Sequence, residues 1–121
     1  MTASLDGREF VVVENAVGEV DAATVFSYQE KDGVVSARYE GGAIRLGYLV
    51  GTRSGDNLDF RYVHLGATGE TSSGRCLSRI EVLDDGRLRL HEDWSWESRD
   101  GSGTSVVEEK ARPGVRQPKG I

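Results

Sequence analysis

The stretch RLRLHEDWSWES, from Arg87 to Ser98, decides the fold because apolar and polar side chains alternate along it. One face is polar throughout, and the other carries Leu88, Leu90, Glu92, Trp94 and Trp96. A period of two over this length predicts a long β-strand with one buried and one solvated face. We therefore expect the two tryptophans to be buried and the polar face to be exposed at Arg87, Arg89 and Asp93.

Glu92 interrupts the apolar face of this strand, and a carboxylate is costly to bury unless it is paired or protonated. A second ionisable group, His64, shares the inward register of LDFRYVHL (58–65) with Leu58, Phe60 and Tyr62. Glu92 and His64 are therefore candidate catalytic residues, because a carboxylate and an imidazole inside one barrel can act as an acid–base pair. The alternative is a buried polar plug that neighbouring groups satisfy, and periodicity does not show that the two side chains meet.

The other strands are predicted from similar alternation between turn signals such as Asp32-Gly33, Asp85-Gly86 and Asp100-Gly101. Consecutive hairpins predict an all-β antiparallel meander, and closure into an up-and-down barrel of about eight strands removes its edges. Such a barrel can hold one small ligand. The predicted strands besides the opening one are Arg8–Glu14, Thr24–Glu30, Val34–Glu40, Ala43–Gly51, Leu58–Leu65, Thr71–Leu83 and Thr104–Lys110.

The strand predicted at Arg87–Ser98 is expected to pair with both Thr71–Leu83 and Thr104–Lys110. The pattern does not decide which face of the strand Ala43–Gly51 points inward. One face carries the bulkier side chains of Ile44, Leu46, Tyr48 and Val50, but Gly47 and Leu49 could face a crowded interior instead. The glycines of this region are interpreted as turn and bend residues.

The length of 121 residues predicts one domain, residues 1–110, followed by a flexible tail, residues 111–121. The polar segment Met1–Gly7 is expected to be loose. A net charge of −5 argues against nucleic-acid binding, and no apolar run indicates a signal peptide or a membrane span, so the cytoplasm is the expected compartment. A homodimer is compatible with the sequence.

The lone cysteine, Cys76, excludes an intramolecular disulfide and is expected to be buried and inert. His64 and His91 lie on opposite faces of their strands, and no metal-ligand spacing is present. We therefore expect neither a metal nor a cofactor.

Five segments, FSYQEKDG, YEGGAIRLGYLVG, DFRYVHL, SGRCLS and DGRLRLHEDWSWES, resemble in this order small bacterial proteins that carry the label N-acetylglutamate synthase. The resemblance covers most of Thr24 to Glu109 and implies a small calycin-like, lipocalin-like or avidin-like barrel. It supplies no catalytic residues. An acetyltransferase of the usual kind needs a loop that opens onto a helix N-terminus for pyrophosphate, and the sequence shows no such unit.

Aromatic side chains at inward positions suit the wall of a ligand cavity as well as an ordinary core. The candidate ligand-binding residues are Phe26, Tyr28, Tyr39, Phe60, Tyr62, Trp94 and Trp96. The leading prediction is a small-molecule-binding barrel with an aromatic, partly polar cavity. The alternatives are a cofactor-free cyclase, isomerase or lyase that uses Glu92 and His64, and a structural or interaction module with a filled core. A cavity of a few hundred Å³ that reaches solvent would favour a ligand.

Overall fold

The computed structural model describes residues 3–15 and 19–111, and these residues form one closed antiparallel barrel. Each strand pairs with the next along the chain, and the last pairs with the first. The predicted eight-stranded up-and-down barrel is confirmed. The strands are β1 (Glu9–Asn15), β2 (Val25–Lys31), β3 (Val34–Gly41), β4 (Ile44–Ser54), β5 (Asn57–Gly66), β6 (Thr71–Val82), β7 (Leu88–Trp96) and β8 (Ser102–Glu109).

The predicted tail lies outside the described residues except for Ala111. Within the described ranges, no helix is long and apolar enough to cross a membrane.

Strand β7, which contains the stretch that opened the sequence analysis, pairs with β6 and β8 as predicted. Its inward register is also confirmed, because Leu88, Leu90 and Glu92 are buried. The expected full burial of Trp94 and Trp96 is wrong: both are only partly buried, because β7 ends at the open mouth of the barrel.

The expected exposure on the other face of β7 holds for Asp93 but is wrong for the two arginines. Arg87 and Arg89 are only partly exposed because both lie along the barrel surface and bind Glu108 of β8, at 3.1 and 2.8 Å. An alternating pattern distinguishes inward from outward positions, but it does not show how far an outward arginine folds back against the sheet.

The inward face of β4 is the one that carries Gly47 and Leu49, whereas Tyr48 and Val50 are 52% and 60% exposed. A shift in the pairing of β4 with β5 between Ile44 and Leu46 places this set inside. Ile44 of the bulkier set is also buried, on the other side of this shift, so the set with Gly47 and Leu49 faces inward only beyond the shift.

The Tyr39 ring of β3 occupies the space above the inward-facing Gly47, so this position requires a glycine. A Cβ atom on Gly47 would collide with that ring and come within 2.8 Å of the His64 Cβ. The inward glycines of the strands thus make room for aromatic rings, a role that their interpretation as bend residues missed. The same cross-strand pairing joins Phe60 to Gly51, Tyr62 to Gly74 and Trp94 to Gly103.

One end of the barrel is sealed by the N-terminal segment, which was expected to be loose. Leu5 is completely buried, and its N–H donates to the Glu30 carboxylate at 2.8 Å. Arg53 donates to the same carboxylate at 2.7 Å and to the carbonyl of Ala3 at 2.9 Å. This region is therefore a plug held by hydrogen bonds.

Apolar side chains fill the sealed end, where Phe10, Leu88, Leu90 and Val107 are fully buried. We call it the filled end. The cavity described next lies at the opposite end, which we call the open end.

Candidate functional site

The open end of the barrel holds a cavity of about 50 Å³ beneath the β1–β2 and β7–β8 connections. This volume has room for on the order of a few water molecules. Six of the seven predicted ligand-binding aromatics line it: Phe26, Tyr39, Phe60, Tyr62, Trp94 and Trp96. Both candidate catalytic residues, Glu92 and His64, line it as well.

Tyr28, the seventh predicted aromatic, is not part of the cavity lining. Its buried ring packs edge-on against Phe10 with ring centres 5.2 Å apart, on the side of the filled end. The inward position of Tyr28 was predicted correctly, but alternation along a strand does not show how deep along the barrel a residue lies.

Five of the six aromatic rings of the wall form two contacting groups, which the His64 ring joins. Phe26 stacks on Tyr39 with ring centres 4.6 Å apart, and Trp94 lies 5.4 Å from Trp96. Tyr62 contacts Trp96 edge-on at 5.8 Å, and its hydroxyl donates to the carbonyl of Ser95 at 3.3 Å. The wall therefore offers several ring faces and edges to anything that enters the cavity.

A row of polar side chains crosses this aromatic lining on four neighbouring strands. The register places Asn15 of β1 beside Ser105 of β8, Ser105 beside Glu92 of β7, and Glu92 beside Ser78 of β6. The Ser105 hydroxyl donates to Glu92 Oε1 at 2.8 Å. We call these four residues the polar row; three of them, Asn15, Ser105 and Glu92, line the cavity.

Glu92 is the ionisable member of the polar row. Burial raises its pKa to about 7, and the hydrogen bond from Ser105 lowers it only in part. Among the described residues, no Lys, Arg or His forms a salt bridge with Glu92. The carboxyl group therefore changes its charge near neutral pH inside an aromatic cavity.

His64 has both ring nitrogens engaged, and neither partner is Glu92. A carboxylate only accepts, so His64 Nε2–H donates to Glu19 Oε1 at 2.7 Å, and Nδ1 shares a hydrogen bond of 2.9 Å with the Tyr39 hydroxyl. Burial raises the pKa of Tyr39, which keeps this hydroxyl protonated. The structure thus brings Glu92 and His64 to one cavity but gives each its own partners.

Glu19 closes the mouth of the cavity and was missed by the sequence analysis. Its carboxylate joins His64 to Arg99 Nη2, at 2.8 Å, and the Arg99 guanidinium lies 4.1 Å from the centre of the Trp96 ring. Burial raises the pKa of Glu19, but the hydrogen bonds from His64 and Arg99 outweigh it, so the pKa lies below its usual value. Both charged residues lie in connections without periodicity, so no pattern could identify them.

Cys76 points into the cavity and is buried, as predicted. Burial, and then the charges of Glu92 and Asp93, raise the pKa of its thiol. The thiol therefore stays protonated and acts as a small apolar part of the wall.

Comparison with known proteins supports the barrel assignment. A family model described as "Avidin-like protein" matches residues 3–110. No curated protein matches the sequence significantly. The match agrees with the avidin-like barrel that the resemblance implied, and it gives no support to the N-acetylglutamate synthase label. Because the matched region spans nearly the whole chain, including all eight strands of the closed barrel, the protein belongs to the avidin-like family.

Proposed function

We propose that this protein binds a small molecule in the cavity at the open end of its barrel. The observation that carries the proposal is the asymmetry of the interior: apolar side chains and the Leu5 plug fill one end, whereas the other holds an aromatic cavity crossed by the polar row. Apolar walls with a few convergent polar groups are typical of ligand sites. Membership of a family of barrels that bind small molecules supports the same function.

The size of the cavity restricts what enters it. At about 50 Å³ the cavity is smaller than the few hundred Å³ that a drug-sized ligand fills. Only a compact ligand, or the compact head of a larger one, fits while the mouth is closed. A larger ligand has to displace Glu19 and Arg99, which are held by hydrogen bonds to side chains rather than by strand pairing.

Catalysis on the same barrel is the second candidate function, and one observation favours it. A carboxyl group whose pKa is about 7 is well suited to general acid–base chemistry. An acid–base pair, however, also needs a second group that can exchange a proton, and both nitrogens of His64 are occupied by Tyr39 and Glu19. The hydrogen bonds therefore support binding over proton transfer.

Fluorescence tests the proposal directly, because Trp94 and Trp96 are the only tryptophans of the chain and both line the cavity. Titration of the purified protein with small-molecule pools should shift the emission and saturate. A Cys76→Leu variant, which adds side-chain volume inside the cavity, should lose the response.

The matched control is Ile80→Leu, which changes an inward residue of the same strand, β6, close to the filled end. This variant should respond like the wild type. Emission that no pool shifts, or that shifts equally in the folded Cys76→Leu variant, would contradict binding in the cavity and favour the filled structural module.

A further inference from the structure

Two acidic residues are buried inside the described part of the barrel, and they have different hydrogen-bond partners. Glu109, at the filled end, accepts from Arg8 at 2.7 Å and from the Leu88 N–H at 3.0 Å. Glu92, at the cavity, accepts from the neutral hydroxyl of Ser105 and has no cationic partner among the described residues. Because an ionised carboxylate is costly to bury without an opposite charge, the site lacks its complementary group.

Where the polar row lines the cavity, one of its acceptors has no donor within the described part of the chain. Asn15 Nδ2 donates to the carbonyl of Val20 at 2.9 Å, which fixes the orientation of the amide. The other amide atom, Oδ1, is buried and has no partner among the described residues. The hydroxyl proton of Ser105 is used on Glu92, and the buried Ser78 hydroxyl, which has no partner among the described residues, is not part of the cavity lining. The cavity wall therefore presents acceptors that N–H or O–H donors of a ligand can satisfy.

The aromatic wall favours a positive charge over a negative one. Ring faces attract cations, and the mouth already shows this interaction, because the Arg99 guanidinium lies over the Trp96 ring. The net charge of the chain, −5, adds an attraction for cations at long range.

Building on the proposed binding function, we propose that the group bound in the cavity is a compact organic cation that carries N–H donors: a protonated amine, amidine or guanidine. Its charge pairs with Glu92, and its N–H groups donate to the Glu92 carboxylate and to Asn15 Oδ1. A cation of this kind satisfies the charge and the hydrogen bonds that the chain leaves open, whereas a carboxylate or phosphate would face Glu92 with a like charge.

The proposal makes binding dependent on pH through Glu92, because protonation of this group removes the negative charge. The titratable groups that share the interior with it lie on β2, β3, β5, β6 and β8, and the described loop adds Glu19. Burial, with the charge of Glu92 as a further cause, raises the pKa values of the phenols and the thiol, so these groups stay neutral between pH 6 and 8. The phenols are those of Tyr28, Tyr39 and Tyr62, and the thiol is that of Cys76; the other titratable groups of the interior are His64 and Glu109.

Acetamidinium, acetamide and acetate test the proposal, because they share one shape and differ in charge. Binding is followed through the indole N–H signals of Trp94 and Trp96 in NMR spectra at constant ionic strength. At pH 8 acetamidinium should bind about tenfold more tightly than acetamide, since hydrogen bonds between charged groups are the stronger ones. Acetate should not bind.

Acetamidinium keeps its charge at both pH values, so its affinity should fall about tenfold from pH 8 to pH 6 as Glu92 is protonated. The Glu92→Gln variant keeps the shape of the side chain and should lose both the preference for the cation and the pH dependence. A pH dependence that persists in this variant would assign the effect to His64 and overturn the proposal.

The outcomes separate this inference from the proposed function. If acetamide or acetate bound saturably and as tightly as acetamidinium, the proposal that the ligand is a cation would be overturned, whereas the proposal that the cavity binds a small molecule would stand. The absence of any shift of the indole signals with all three probes, up to concentrations that saturate millimolar sites, would contradict both.

Discussion

Between pH 4 and pH 8 the free energy of unfolding of the wild-type protein should fall by about 3 kcal/mol relative to that of the Glu92→Gln variant. Burial raises the pKa of Glu92 from 4.5 to about 7 in the folded state. A raised pKa means that the folded state holds its proton more tightly than the unfolded state does. The stabilisation is therefore fully present below pH 4.5 and is lost as the pH rises through 7.

Chemical denaturation of both proteins at a series of pH values measures this difference. Other carboxyl groups contribute to the pH dependence of the free energy of unfolding with the opposite sign, because hydrogen bonds lower their pKa values. These groups are Glu19, Asp59, Glu81 and Asp85. These groups are present in both proteins, so their contributions cancel in the comparison. If the free energy of unfolding depended on pH in the same way for wild type and variant, Glu92 would be paired with a positive charge in solution. The site would then have no unpaired carboxylate to offer a ligand.

The Leu90→Ala variant should be less stable than the wild type by about 3–5 kcal/mol, and Trp94→Ala should cost less although tryptophan is the larger side chain. Leu90 is completely buried close to the filled end, so its truncation leaves a void in a packed core. Trp94 is only partly buried, and its truncation enlarges a cavity that already reaches the mouth. Urea denaturation of the two variants measures both effects on one strand.

Asp93→Ala is the matched surface control on β7, and it should change the stability by no more than about half a kcal/mol. A loss of stability in Trp94→Ala as large as that in Leu90→Ala would show that the open end is packed as tightly as the filled end. The cavity would then be too well filled to admit a ligand.

The sequence was sufficient to predict the architecture because each local signal agreed with the closed meander. Alternation along β7 identified its inward face, and the Asp85-Gly86 and Asp100-Gly101 turns placed β6 and β8 beside it. The same alternation placed Glu92 and His64 inside, where both line the cavity. Side-chain period is a property of a single strand, so one sequence is enough to detect it.

Features that depend on two or more segments could not be predicted. The inward face of β4 follows from a shift in pairing with β5, and Gly47 has to be a glycine because a ring from β3 lies over it. The Leu5 plug depends on acceptors and donors from β2 and β4. Glu19 reaches His64 from a connection that has no period at all.

The partners of the candidate catalytic residues show the same limit. Periodicity placed Glu92 and His64 in one interior, but their hydrogen bonds depend on how far along the barrel each one lies. Glu92 is level with Ser105, whereas His64 is close to the mouth and bonds to Glu19. The pair predicted from the sequence is therefore replaced by two separate polar groups in one cavity.

The central claim is that the cavity at the open end is a ligand site, and native mass spectrometry tests it most directly. The wild-type protein is equilibrated with a metabolite extract, transferred to volatile buffer and measured beside the Cys76→Leu variant. We expect a defined added mass on the wild type that is absent from the folded variant. Identical spectra, with the polypeptide mass alone in both proteins or the same added mass on both, would contradict the claim.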